Sequence, residues 1–95
     1  MRVVWTAPAA RDLEGIGDYI ARQNPRAARR IVLRIRARTR ALAAHPHLGR
    51  PERGSSSSLR LVITSTPFIA VYRVINNRIE ILAVFHGNRM WPDTF

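Results

Sequence analysis

The sequence predicts an α+β fold: an N-terminal strand, then a two-helix antiparallel hairpin packed on an antiparallel β-sheet, in the order β-α-α-β-β-β. A β-type run opens the chain at residues 2–6. Apolar residues then recur at helical spacing over two stretches that Asn24 and Pro25 separate. Three β-type runs with turn residues between them occupy the last third. The chain of 95 residues is expected to form a single domain, residues 1–95, because a second core would need more sequence.

The first helix is predicted from a single apolar stripe that follows the opening strand. Pro8 suits the first turn of a helix, where a missing backbone N–H costs nothing. The stripe has spacings of four, three and four residues and consists of Ala9, Leu13, Ile16 and Ile20. These spacings place all four side chains on one helix face, which we expect to pack on the sheet.

The second helix is predicted over residues 25–44, with Asn24 as its N-cap and Pro25 at its first position. Its apolar face comprises Ala28, Ile31, Val32, Ile35 and Leu42, and seven arginines lie on the other side: Arg26, Arg29, Arg30, Arg34, Arg36, Arg38 and Arg40. Leu33 lies among them. This arginine side is either a solvated helix face or a surface for an acidic partner, and both interpretations stay open.

The loop after the second helix offers no convincing chemical site. His45 and His47 have no cysteine or carboxylate cluster around them, so surface histidines are favoured over a metal site. Residues 55–58 are four serines, which predict a flexible linker rather than nucleophiles because no base accompanies them.

The last third predicts three antiparallel strands, at residues 59–63, 68–75 and 78–85, with a turn at Asn76 and Asn77 that tolerates positive φ. In the middle strand, period-two alternation places Phe68, Ala70, Tyr72 and Val74 on one face. Ile69, Val71 and Arg73 fall on the other face. Both faces are largely apolar, so one face is expected to cover the helices and the other to receive a partner segment.

The composition indicates a basic protein with an anionic partner. Sixteen arginines and no lysine stand against six acidic residues, which gives a formal net charge of +10. Such a charge on a small domain is typical of proteins that meet nucleic acid or acidic protein surfaces. A GC-rich coding sequence also explains the absence of lysine. The chain has no cysteine and no apolar stretch near about 18 residues, so we expect a cytoplasmic protein without disulfides or a membrane span.

Residues 66–92 combine a hairpin with a group of functional side chains at its end. His86, Arg89 and Trp91 follow the last predicted strand closely. Polar and aromatic residues at the end of a rigid scaffold often serve function. His86 is either an acid or base or, as is more common for a histidine beside a glycine turn, a hydrogen-bonded structural residue. Glu52 and Glu80 are the acidic residues of the strand-rich half up to His86, and their spacing places neither beside it.

One ordered set of residues runs along the whole chain: Val4-Trp5-Thr6, Ala10, Asp12-Leu13, Ile16, Tyr19-Ile20, Asn24-Pro25, Ala27-Ala28, Leu42, Pro46, Gly49-Arg50-Pro51, Thr66-Pro67, Tyr72-Arg73-Val74, Ile79-Glu80-Ile81-Leu82, His86-Gly87, Arg89 and Trp91-Pro92. Each piece is weak alone. In this order the set resembles the RelE/ParE superfamily of toxins from type II toxin–antitoxin systems, and most of all its ParE, or plasmid-stabilisation, branch.

The resemblance implies two different activities. RelE-like members cleave mRNA on the ribosome, and on that interpretation Arg60, His86 and Arg89 would form the catalytic set. Several family positions depart from the ribonuclease pattern: Val62 and Ile69 stand where basic residues are expected, and Phe95 stands at a tyrosine position. Tyr19 and Tyr72 are interpreted as aromatics at the edge of the core. The nuclease set is therefore incomplete, and no catalytic residue is assigned on the favoured interpretation.

ParE-like members instead inhibit DNA gyrase by binding, and a cognate ParD-like antitoxin wraps and neutralises them in a hetero-oligomer. The target-binding candidates on this interpretation are Arg60, Arg73, His86, Arg89 and Trp91. The antitoxin-binding candidates are Arg30, Leu33, Arg34, Ile69 and Val71. No cofactor or metal is expected, and no sequence-specific DNA binding without the antitoxin. A basic nucleic-acid-binding module is the further alternative, and it predicts salt-sensitive binding to naked DNA or RNA.

Overall fold

The computed structural model describes residues 1–54 and 57–87. In chain order the elements are β1 (Arg2–Trp5), α1 (Ala7–Ala21), α2 (Pro25–Arg40), a 3₁₀ turn (Ala41–Ala43), β2 (Arg50–Pro51), β3 (Ser58–Val62), β4 (Phe68–Ile75) and β5 (Arg78–His86). The α+β prediction is confirmed: two helices lie on a sheet with the strand order β1-β5-β4-β3-β2. The sheet is mixed rather than antiparallel, because β1 pairs with β5 in parallel.

Both helices begin where the sequence predicts, and each has a side-chain cap. The Thr6 hydroxyl accepts a hydrogen bond from the Ala9 N–H at the start of α1. The Asn24 side chain accepts one from the Ala27 N–H at the start of α2. Such caps satisfy backbone donors that the first helical turn leaves without partners, and each is worth about 1 kcal/mol.

The second helix ends earlier than predicted. Its α-helical part stops at Arg40, and a 3₁₀ turn follows instead of helix up to residue 44. The buried Thr39 hydroxyl donates to the carbonyl oxygens of Ile35 and Arg36, at 2.9 and 3.0 Å. A threonine that hydrogen-bonds the preceding turn competes with the helical ladder. This competition favours the tighter final turn.

The core lies between the helices and one face of the sheet. Fully buried side chains from both layers meet there, among them Ile35, Leu42, Leu61, Tyr72 and Ile81. Burial of each large aliphatic side chain contributes roughly 1.5–3 kcal/mol. The predicted alternation in β4 is confirmed, since Phe68, Ala70 and Tyr72 are buried and Val74 packs against the core. Tyr72 is therefore central to the core, not at its edge.

A bulge in β5 decides which side chains face the helices near the end of that strand. Tyr72 pairs with Ile81 and Val71 pairs with Ala83, so Leu82 is the extra residue on β5. Strict alternation from Ile81 would turn Ala83 inward. The bulge instead buries Val84 and turns His86 toward the helix side, opposite Phe68.

Two local predictions turn out differently. Tyr19 is not a core-edge aromatic: it is 70% exposed, because it lies beside the apolar stripe of α1 rather than on it. Ser58 begins β3 and pairs with Arg73, so the serine linker is shorter than predicted; Ser55 and Ser56 lie outside the described residues. β2 was not among the predicted strands, because it is only two residues long. The Asn76-Asn77 turn is confirmed, with φ values of 49° and 61°.

Candidate partner-binding surfaces

One face of the sheet is left open by the helices, and its side chains change from apolar to charged along the strands. We define the open sheet face by three rows of paired residues across β3, β4 and β5: Val62, Ile69 and Phe85; Arg60, Val71 and Ala83; and Ser58, Arg73 and Glu80. Side chains of paired residues lie on the same face of a sheet. Val62 at the apolar end is 55% exposed, which is unusual for a valine in a strand.

The charged end of this face is organised around one carboxylate. Glu80 accepts from the Arg73 Nε at 2.8 Å through Oε1 and from the Arg78 Nη2 at 2.7 Å through Oε2. The hydrogen bonds from Arg78 and then Arg73 hold the pKa of Glu80 below its usual value. The cluster keeps one net positive charge, so Arg73 is oriented for a partner and is only partly neutralised.

A second charged group lies at the β2 side of the same face. Arg60 forms an ion pair with Glu52, with 2.9 Å between Arg60 Nε and Glu52 Oε1. Arg50 is the strand partner of Arg60, so its side chain lies on the same face. The ion pair joins Arg60 to Glu52, and these two side chains together with Arg50 keep one net positive charge.

The Tyr72 hydroxyl holds the loop that carries these charges. It donates to the Pro46 carbonyl oxygen at 2.8 Å and accepts from the Gly49 N–H at 2.9 Å. Burial raises the pKa of Tyr72, while the Gly49 hydrogen bond acts in the opposite direction. A Cβ on Gly49 would lie 2.7 Å from the Arg60 carbonyl oxygen, so the loop approaches β3 too closely for any other residue. This role of Tyr72 was not predicted from the sequence, although a buried tyrosine on the core face of a strand usually has a partner for its hydroxyl.

His86 lies on the opposite side of the sheet from Arg60. Its ring packs edge-to-face against Phe68, with 5.5 Å between centroids and 75° between planes. Phe68 is buried on the helix side, whereas Arg60 belongs to the open sheet face. The structure therefore separates these two members of the predicted catalytic set. Arg89 and Trp91 lie outside the described residues.

A groove between α1 and the end of β5 brings His86 near an acidic residue that the sequence analysis did not consider. The groove has a volume of about 950 Å³, and Arg11, Asp12, Tyr19 and His86 line it together with apolar side chains. Asp12 accepts a hydrogen bond from the Val84 N–H at 3.0 Å through Oδ2, which satisfies a donor on β5 beyond the residues paired with β1. The packing of α1 on β5 is a tertiary contact, which no spacing in the sequence reveals.

The outward face of α2 holds the other predicted antitoxin residues. Arg30, Leu33 and Arg34 are exposed there, and Leu33 is 51% exposed. Ile69 and Val71 lie on the open sheet face, on the far side of the molecule from this helix surface. The predicted antitoxin set therefore divides between two opposite surfaces.

Within the described residues, no three His, Cys, Asp or Glu side chains come together as a metal site would require. In the same part of the chain, no helix is both long and apolar enough to span a membrane.

Comparison with known proteins identifies relatives along nearly the whole chain. Residues 3–91 match the family described as ParE toxin of type II toxin-antitoxin system, parDE. Protein Y4kP of Sinorhizobium fredii is 44% identical over 91 residues, an alignment that covers 96% of this chain and 93% of that protein. Toxin RelE2 of Caulobacter vibrioides is 34% identical over 89 residues, covering 94% of this chain and 98% of that toxin.

Two solved structures share the fold. A chain of the chromosomal ParDE TA system from P. aeruginosa has a TM-score of 0.81 and 30% identity, covering 90% of this chain and 95% of that chain. The isolated E. coli RelE toxin has a TM-score of 0.64 and 13% identity, covering 98% and 90%. At 13% identity, the similarity to the E. coli RelE toxin shows a shared fold and nothing more.

Proposed function

Because this chain belongs to the ParE toxin family of type II toxin–antitoxin systems, we propose that it inhibits DNA gyrase by binding and that a ParD-like antitoxin neutralises it in a hetero-oligomer. The observation that carries this proposal is the open sheet face, with an apolar end at Val62 and a charged end at Arg73. A surface that combines exposed apolar area with oriented charges is suited to binding another protein. Since the proposed partners are gyrase and an antitoxin, we propose that the protein acts in the cytoplasm.

The antitoxin is proposed to cover the apolar end of the open sheet face. Ile69 and Val71 are half-buried there, beside the exposed Val62. An antitoxin segment that lays apolar side chains on these residues would remove them from water, at roughly 25 cal/mol for each Å² buried. Arg30, Leu33 and Arg34 on the far side would be reached only by a segment that wraps around the molecule.

Gyrase is proposed to meet the charged end of the same face. Arg73 is oriented by its hydrogen bond to a carboxylate, and Arg60 lies in an ion pair with another. The two charged groups to which these arginines belong each retain a net positive charge. Arg89 and Trp91 belong to the same proposed target-binding set. His86, the fifth candidate predicted from the sequence, is left out of this proposal because it lies on the helix side of the sheet. Covering one face with the antitoxin would then block the target, which gives neutralisation a simple steric basis.

Ribosome-dependent mRNA cleavage is the second candidate, and the α1–β5 groove is the observation that favours it. Asp12, Arg11 and His86 line this groove together, and these are residue types that can transfer protons and bind phosphate. Arg60 lies on the opposite face of the sheet, so a nuclease site here would have to work without it.

The two candidates are separated by testing the purified chain in a gyrase supercoiling assay beside a ribosome-dependent mRNA cleavage assay. We expect inhibition of supercoiling that weakens in Arg60→Ala and Arg73→Ala and is unchanged in His86→Ala. Cleavage of mRNA that disappears in His86→Ala, with gyrase unaffected by the wild-type chain, would replace this proposal with the nuclease.

A further inference from the structure

The outward side of α2 is a continuous basic surface without an acidic residue. We define the arginine face as five exposed residues of this helix: Arg26, Arg29, Arg30, Arg34 and Arg40. No ion pair involves any of them among residues 1–54 and 57–87. Arg36 and Arg38 differ, because Arg36 lies over the Trp5 ring at 5.9 Å and the Arg38 Nε donates to the Val62 carbonyl oxygen at 3.4 Å.

This arrangement costs stability in the isolated chain. Arg26 and Arg30, and Arg30 and Arg34, are like charges four residues apart, and each such pair destabilises a helix by a few tenths of a kcal/mol. Arg26 lies in the first turn, where the helix dipole disfavours a cation, and no acidic residue compensates it there. The sheet pairs Arg60, Arg73 and Arg78 with carboxylates, so the lack of anions on α2 is a local feature.

The dimensions of the arginine face match a nucleic-acid strand. From Arg26 to Arg40 the helix rises about 21 Å at 1.5 Å per residue. One strand of B-DNA presents a phosphate every 3.4 Å of axis, or about six phosphates over this length. Five guanidinium groups therefore match about six phosphates over the same length. Each guanidinium also has the fork geometry that binds phosphate oxygens in pairs.

We propose that the arginine face binds the sugar–phosphate backbone of duplex DNA without reading its base sequence. Arginine clusters also bind short acidic motifs in peptides. Here the charges extend along about 21 Å of helix, which suits the regular phosphate spacing of DNA better than a short motif. Within the described residues, the arginine face contributes neither to the α1–β5 groove nor to the groove beside Trp5, and the exposed Leu33 lies between its arginines. Without Asn or Gln, α2 lacks the side chains that most readily read adenine.

The arginine face and the open sheet face can be occupied together because they lie on opposite sides of the helix–sheet sandwich. A partner held on the sheet would leave α2 free to touch DNA. The inference is independent of the proposed gyrase and antitoxin functions, since DNA binding and toxicity are measured separately.

The test measures binding of the full-length chain to a fluorescent duplex of about 30 bp and arbitrary sequence, by anisotropy, across a salt series. Wild-type affinity should fall linearly with salt on a log–log plot. The triple variant Arg26→Gln, Arg30→Gln, Arg34→Gln should reduce the magnitude of the slope by about 2.7, that is 0.9 for each lost phosphate contact. Its affinity at about 50 mM salt should fall by at least tenfold. Gln keeps the helix propensity of Arg, so the helix should persist.

The matched control removes the same three charges elsewhere, with Arg2→Gln, Arg50→Gln, Arg53→Gln at exposed positions outside α2. This control should retain most of the slope of log affinity against log salt concentration. The triple variant Arg26→Lys, Arg30→Lys, Arg34→Lys should retain most of it too. Three results would overturn the proposal. One is an equal loss of slope in the control. The second is a wild-type slope near zero. The third is displacement of DNA by polyglutamate as effectively as by unlabelled DNA of equal charge, which would indicate an acidic protein partner.

Discussion

The Tyr72 hydroxyl connects the centre of the sheet to the loop that carries β2. It is held by Pro46 and Gly49, which lie 26 and 23 residues away along the chain. Features with local causes, such as the Thr6 and Asn24 caps, were predictable because their partners are three residues away. The hydrogen bonds of Tyr72 depend on tertiary contacts, so no spacing in the sequence could reveal them.

Replacing Tyr72 with Phe should destabilise the protein by about 1–3 kcal/mol, because the Gly49 N–H and the Pro46 carbonyl lose their partner in a partly buried loop. Urea denaturation followed by circular dichroism measures the change. Tyr19→Phe is the control, since this hydroxyl belongs to a side chain that is 70% exposed, and it should change stability by less than about 0.5 kcal/mol. Equal stability of the two variants would contradict the role given to Tyr72.

Two glycine-to-alanine substitutions should change the free energy of unfolding in opposite directions. At Gly49 the new Cβ would lie 2.7 Å from the Arg60 carbonyl oxygen and 2.9 Å from the Tyr72 hydroxyl, so we expect a loss of about 1–3 kcal/mol. At Gly15, inside α1, nothing lies within 4 Å of the new Cβ, and Ala should stabilise the helix by roughly 1 kcal/mol. Thermal unfolding of both variants tests the pair. Stabilisation by Gly49→Ala would show that the loop is less close to β3 than described.

The lowered pKa of Glu80 predicts that part of the protein's stability is lost in acid. Hydrogen bonds from Arg78 and Arg73 lower the pKa of Glu80 below 4.5 in the folded protein, so its contribution is present above pH 4.5. That contribution is lost as the pH falls through the folded-state pKa. The difference in unfolding free energy between wild type and Glu80→Gln should therefore shrink in acid. Glu14→Gln, on the exposed side of α1, is the control. A difference that grows in acid would reverse the sign and reject this account.

The helices and the sheet were predictable to different degrees. The apolar stripes of α1 and α2 and the alternation in β4 follow from short-range periodicity, and they located the core and the open sheet face correctly. The parallel pairing of β1 with β5 and the bulge at Leu82 arise from contacts between distant segments. The bulge turns His86 away from Arg60, so it is the reason that the predicted catalytic residues separate. Strict alternation could not show this.

A charge placed in the middle of the open sheet face should weaken antitoxin binding. Val71→Arg replaces a half-buried apolar side chain between Arg60 and Ala83, and we expect at least about a 30-fold loss of affinity, a hot-spot effect of roughly 2 kcal/mol. Titration calorimetry with the proposed ParD-like antitoxin measures this affinity. Leu33→Arg on the helix side is the control and should have a much smaller effect. A larger loss from Leu33→Arg would move the main antitoxin contact to α2.

The whole molecule carries a net charge of +10 that its fold distributes over two opposite surfaces. Net charge far from zero keeps a protein soluble but destabilises the compact state through self-repulsion. Composition alone predicted the anionic partner. It could not show that the sheet pairs several arginines with carboxylates while α2 leaves its arginines without acidic neighbours, since that distinction depends on the tertiary structure.

Added salt should therefore stabilise the isolated chain. Raising KCl from about 50 to about 500 mM shortens the Debye length several-fold and screens the repulsion among the arginines. We expect Tm to rise over this range, and to rise less in the triple variant Arg26→Gln, Arg30→Gln, Arg34→Gln, which has less repulsion to screen. Differential scanning fluorimetry gives both values. A fall in Tm with salt would mean that the screened ion pairs of Glu52 and Glu80 outweigh the repulsion.

The pairing of β1 with β5 has a consequence for synthesis of the chain on the ribosome. Arg2 is made well before its strand partner Arg78, and β5 lies between β1 and β4 in the sheet. Until β5 leaves the exit tunnel, β1 and β4 have no strand between them and the core is open. Because its core would be open, a nascent chain interrupted before β5 would be degraded by proteases rather than act as a toxin. We therefore expect the chain to become active only after β5 has been made.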